Sequence, residues 1–133
     1  MCDRESLNYS TSRANLGHAR GEAYLAEMAK VYAGCLAVLR PGGLMVTVTK
    51  NMRRAGRLVD LAGITVRLAH QAGFVYLQHV VALLGAVRDG ALVAHPSFWQ
   101  LRQTRLARAA GHPVHLTVHE DVLVLAKPEA NRG

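Results

Sequence analysis

Apolar residues follow two rhythms along this chain. Leu25, Met28, Tyr32, Cys35, Leu36 and Leu39 recur at intervals of three and four, which places them on one face of a helix predicted from Gly21 or Glu22 to Leu39. Pro41 cannot continue that helix, and the paired glycines Gly42 and Gly43 tolerate the positive φ of a turn. Leu44 to Val48 is apolar at almost every position, the pattern of a parallel strand buried on both faces, here extended to Lys50. A helix that turns into such a strand is characteristic of α/β architecture, and the expected fold is a partial doubly wound sheet.

A short basic loop separates this strand from a second helix, expected over roughly Arg57 to Ala72. Leu61, Thr65, Leu68, Ala69 and Ala72 form its inner face, and Gly73 is its C-cap. Val75 to Val87 contains a third apolar block, Val80-Val81-Ala82-Leu83-Leu84, expected as a buried strand, and Asp89-Gly90 marks a turn. Leu92-Val93 forms a short extension before Pro96. Ser97 to Ala110 is a third helix, with Ser97 as N-cap and Gly111 closing it. The last strand is expected over Leu116 to Ala126. Residues 1–20 are polar and irregular, and residues 128–133 read as a frayed tail. The order is helix, strand, helix, strand, excursion, strand, within a single domain spanning 1–133.

Half of the 133 residues are hydrophobic, which excludes disorder throughout. No apolar run approaches the roughly 20 residues of a membrane span, and Met1 to Ser6 contains no apolar signal core, so a cytoplasmic chain without membrane partners is the default expectation. Cys2 and Cys35 cannot build a disulfide framework, and Cys35 reads as a small core residue. His112, His115 and His119 lack a cysteine or carboxylate partner at zinc-like spacing, so no metal site is expected.

Charge adds a direction. Sixteen Lys and Arg against nine Asp and Glu leave a net charge of +7, which favours polyanionic partners. The positive residues cluster: Arg53, Arg54 and Arg57 follow the Leu44 strand, and Arg102, Arg105 and Arg108 share one helical stretch behind Phe98 and Trp99. Adjacent aromatics at a helix start more often anchor the helix to the core; the functional alternative is stacking on a nucleobase. In open α/β sheets, ligands sit outside the carboxyl ends of the parallel strands. That rule puts Thr49, Lys50 and Asn51 on the site's rim. If the Val80 strand runs parallel to the first, it brings Arg88 to Val114, and hence both arginine clusters, to the same edge.

Leu39-Arg40-Pro41-Gly42-Gly43 resembles the opening of the fifth strand in class I S-adenosylmethionine-dependent methyltransferases. Asn8 to His18, Gly56 to Leu61, Pro96 to Leu101 and His119 to Val124 extend the resemblance to DNA methylases of the N4-cytosine/N6-adenine type, from about Asn8 to Lys127. The resemblance implies a Rossmann-like methyltransferase sheet whose final strand is antiparallel and slots between its two predecessors. It also implies methyl transfer from S-adenosylmethionine to an exocyclic amine of cytosine or adenine. An RNA guanine-N2 methyltransferase shares the same pattern and is the alternative. A non-catalytic nucleic-acid-binding or partner subunit is the reading from another class.

Two parts of the family's pattern are missing. No glycine-rich loop leaves a strand, and no Pro-Pro pair is present to form the catalytic Pro-Pro-Tyr turn. The chain therefore looks like the C-terminal half of a methylase, from a truncated gene, a split enzyme or a misplaced start. No catalytic residue is expected here, and S-adenosylmethionine, the family's cofactor, is not expected to bind this chain tightly. DNA is the expected partner, along with an N-terminal-half chain or a second copy. Tyr9 and Asn15, just after the missing turn, are candidates for touching the target base. Arg53, Arg54, Arg57, Arg102, Arg105 and Arg108 are candidate phosphate ligands, which act on a nucleotide that must be extruded from its duplex.

Overall fold

The computed structural model describes residues 21–54 and 56–130. Helix α1 (Glu22–Val38) buries Tyr32, with Met28, Cys35, Leu36 and Leu39 packed beside it, so the predicted face is the one that turns inward. Burial pushes the Tyr32 phenol pKa up, an effect partly offset by a hydrogen bond with Thr65 of the second helix. The Lys127 Nζ donates to the Leu36 and Leu39 carbonyls, each at 2.8 Å. This puts a positive charge on carbonyls that have no partner inside the helix, at the negative end of its dipole. The Pro-Gly-Gly turn is also held by residue 127, through Gly42 N–H to the Lys127 carbonyl (3.0 Å) and Lys127 N–H to the Gly43 carbonyl (2.8 Å). A Cβ on Gly43 would lie 2.8 Å from the Arg40 carbonyl, so no side chain fits there.

Strand β1 (Leu44–Thr49) follows, then a hairpin of β2 (Met52–Arg54) and β3 (Arg57–Val59), then helix α2 (Leu61–Ala72). The second helix thus begins later than expected, because Arg57 to Val59 pair with Met52 to Arg54 in place of joining the helix. Asp60 supplies the reason: it caps α2, its Oδ1 accepting from Gly63 N–H at 2.9 Å. Gly73 closes α2 in the left-handed region (φ 113°), as expected. Strand β4 (Val75–Leu83) leads into a hairpin of β5 (Gly85–Arg88) and β6 (Ala91–Ala94), turned by Asp89 (φ 51°) and Gly90 (φ 76°). Helix α3 (Phe98–Ala109) is capped by the Ser97 hydroxyl, which accepts from Gln100 N–H at 3.2 Å. The final strand, β7 (His119–Ala126), is shorter than expected, since Leu116 to Val118 lie outside the strand ladder.

The main sheet has the order β1-β7-β4, with β7 antiparallel to both neighbours, so β1 and β4 run in the same direction. This is a mixed α/β fold with an antiparallel strand inserted between its two predecessors. Register assigns the faces. Met45, Leu125 and Tyr76 lie in one row and Thr47, Leu123 and His79 in the next, on the face of the sheet where Met45 and Leu125 join the helix core. Leu123 and Leu125 are buried there, and Phe74, Ala69 and Tyr32 complete the core around Leu125.

The opposite face differs from the expectation of a strand covered on both sides. Leu44, Val46 and Val48 are 51%, 58% and 57% exposed, and they continue across Ala126, Val124 and Val122 to Val75, Gln78 and Val80 of β4, apolar except at Gln78. The strand alternates, with Leu44, Val46 and Val48 on an apolar outer face and Met45, Thr47 and Thr49 on the inner one, and the described residues cover only the inner face. No described helix is long and apolar enough to cross a membrane.

Candidate functional site

Because β1 and β4 point the same way, their carboxyl ends open onto one edge. The β2–β3 hairpin leaves from that edge, and so does the excursion that carries β5, β6 and α3. The excursion is fastened at its base by Leu84 N–H to the Val118 carbonyl (2.7 Å) and His95 N–H to the Leu84 carbonyl (2.8 Å). Chain order and strand direction therefore bring Arg53, Arg54 and Arg57 to the same edge as Arg102, Arg105 and Arg108. All six are exposed.

Three residues at the end of β1 fare differently from one another. The Thr49 side chain is buried and its hydroxyl has no partner among the described residues. Lys50 is half-buried. The Asn51 side-chain oxygen accepts from Ala62 N–H at 3.1 Å, so it serves as a second cap on α2 and is committed to structure. Tyr9 and Asn15 lie outside the described residues.

Phe98 is 81% exposed and Trp99 54%, which corrects the expectation that the pair anchors α3 to the core. The apolar start of α3 faces solvent. Exposed aromatic rings there are free to stack on a planar ligand.

The close approach of the hairpin to the end of α3 has no signal in the sequence. Gly56 (φ 76°) lies so near the His112 ring that a Cβ on it would be 3.0 Å from Cε1. Beyond this approach, Arg108, Gly111, His112, Pro113, Val114 and His115 line a cleft of about 330 Å³. Arg108 Nε donates to the Val114 carbonyl at 2.9 Å, fixing the guanidinium against the wall.

A second polar group also escapes sequence reasoning. His79 of β4 and Asp121 of β7 meet at 2.8 Å (Nε2 to Oδ1), with His119 Nε2 at 3.9 Å from the same oxygen. Asp121 is buried and stands in register with Thr49. Only strand register could reveal this pair, because its members are 42 positions apart. Among the described residues, no group of three or more His, Cys, Asp or Glu is arranged to hold a metal ion.

No protein-family model matches the sequence, and no curated protein is significantly similar to it. Solved structures do share its shape. The chain is similar to TTHA0409 of Thermus thermophilus, provisionally assigned as a DNA modification methylase, with 21% identity and a TM-score of 0.57 over 84% of this chain. A structure of that protein bound to S-adenosyl-L-methionine gives 23% identity and a TM-score of 0.56. A selenomethionine form gives 21% and 0.55. This chain spans only about 40% of the length of those proteins. At this level of identity the likeness establishes the fold: the chain has the architecture of one segment of TTHA0409.

Proposed function

We propose that this chain is the C-terminal, nucleic-acid-facing part of an S-adenosylmethionine-dependent DNA methylase of the amino-directed type. Its sheet would be one flank of a larger doubly wound, Rossmann-like sheet. Polypeptide outside these 133 residues would supply the cofactor loop and the catalytic turn, and would cover the open face of β1, β7 and β4. The observation that carries this reading is the β1-β7-β4 order with its inserted antiparallel strand, which superposes on TTHA0409 over 84% of the chain. The two arginine clusters at one edge favour DNA as the substrate, and the exposed Phe98 and Trp99 fit stacking on an extruded base. The same clusters also favour a second reading, a non-catalytic nucleic-acid-binding subunit.

In the proposed enzyme this chain's own residues would bind and orient DNA, while S-adenosylmethionine would supply the methyl group from the other part. The 133-residue chain alone should therefore neither take up the cofactor nor transfer methyl groups. Titration calorimetry with S-adenosylmethionine, paired with a methyl-incorporation assay on DNA, checks this. No heat at micromolar cofactor and no incorporation are expected; micromolar binding or measurable transfer would overturn the assignment of the cofactor site to other polypeptide.

A further inference from the structure

We propose that the tip of the β2–β3 hairpin and the loop closing α3 together form a phosphate clamp, in which Arg54, Arg57, Arg108, His112 and His115 grip a phosphodiester group of a nucleic-acid strand. The clamp rests on the nucleic-acid reading above and narrows it to one seat.

Four observations carry it. First, Arg54 and Arg57 stand directly opposite each other across the hairpin. Like charges in that position destabilise a strand pair, and an isolated two-stranded hairpin is marginal already. An anion between the two guanidinium groups converts that repulsion into attraction. Second, the Gly56 backbone lies against the His112 ring, so the hairpin tip and the α3 loop are neighbours although they are far apart in sequence. Third, the cleft beyond that approach is lined by Arg108, His112 and His115 and by no carboxylate. Fourth, Arg108 is tethered through Nε to the carbonyl of Val114, itself 5% exposed, so the guanidinium is held in place before a ligand arrives. That bond takes one of its five N–H donors.

The end of a helix carries partial negative charge, which opposes an anion. Here the Leu106, Ala107 and Arg108 carbonyls are already occupied by the N–H groups of Ala110, His112 and Gly111. Arginine side chains from two elements outweigh what remains.

Phosphate chemistry has two sources, a nucleic-acid backbone or free phosphate, and amide hydrogen exchange on the full chain separates them. With a short single-stranded oligodeoxynucleotide at about ten times its dissociation constant, exchange should slow about tenfold in the hairpin and in residues 111–115 together. The Arg57→Ser variant should lose this protection in both segments, while its unliganded hairpin exchanges more slowly than the parent's because the opposed charges are gone. Arg40→Ser/Arg67→Ser, a variant of two exposed arginines outside the clamp, should keep the protection. Slowing confined to one segment, or equal loss in the Arg40/Arg67 variant, would overturn the clamp. Protection by inorganic phosphate but not by the oligonucleotide would overturn the nucleic-acid source. An oligonucleotide that binds without protecting either segment would sink the clamp and leave the proposed function standing, whereas no binding at all would remove both.

Discussion

Leu125→Ala is expected to destabilise the chain by about 2–5 kcal/mol, the range for removing a buried leucine side chain and leaving a cavity. Leu125 is 1% exposed and sits on the central strand, where Tyr32 of α1, Ala69 of α2 and Phe74 meet it. The site cannot collapse easily, since β7 is pinned on both sides by β1 and β4. Small domains have only about 5–15 kcal/mol in total, and a sheet covered on one face belongs at the lower end. The Leu125→Ala chain should therefore keep no more than about 3 kcal/mol and unfold at a much lower urea concentration than the parent. Leu106→Ala, which truncates a side chain that is 54% exposed on α3, should shift the midpoint little. Urea titration followed by circular dichroism checks both. A loss below about 1 kcal/mol at Leu125 would mean that this core is not what holds the helices on the sheet.

The uncovered face should dominate the behaviour of the isolated chain. Leu44, Val46 and Val48 lie on an edge strand, more than half exposed, and join an apolar surface that crosses all three strands. Contiguous apolar surface beside an unpaired strand edge drives association. Sedimentation of the purified chain should show species larger than a monomer, or loss of protein to aggregation. Val46→Lys/Val48→Lys should shift the chain towards monomer with its helices intact, because both side chains point away from the core. A parent chain that sediments as a clean monomer and melts cooperatively at high temperature would contradict this.

Local features are the most legible in the sequence. The α1 face, the Gly73 and Ser97 caps and the Asp89-Gly90 turn each follow from a few neighbouring residues whose chemistry allows little else. The insertion of the last strand comes from the family resemblance and not from periodicity. The β2–β3 hairpin is hidden because strands of three residues show no alternation, and Arg53 and Arg54 read as a loop. The run of β1 reads as buried on both faces, yet its inner positions after Met45 are Thr47 and Thr49, and its valines lie on the face that the described residues leave open. The His79–Asp121 pair and the Gly56–His112 approach depend on register and tertiary packing, which no local pattern encodes. For the same reason Asn51, placed on the rim by strand direction, proves to be tied to α2.

The central claim is that the carboxyl edge of β1 and β4 is the DNA-binding edge. The salt dependence of duplex DNA affinity tests it most directly. Removing one arginine–phosphate interaction should reduce the slope of log affinity against log salt by roughly 1. Replacing Arg53, Arg54 and Arg57 with serine should flatten the dependence, and so should replacing Arg102, Arg105 and Arg108. Replacing Arg40, in the turn at the amino end of β1, and Arg67, midway along α2, should change it much less per charge removed. An equal change per charge from all three sets would show that net charge alone attracts DNA, and the edge would no longer be a binding site.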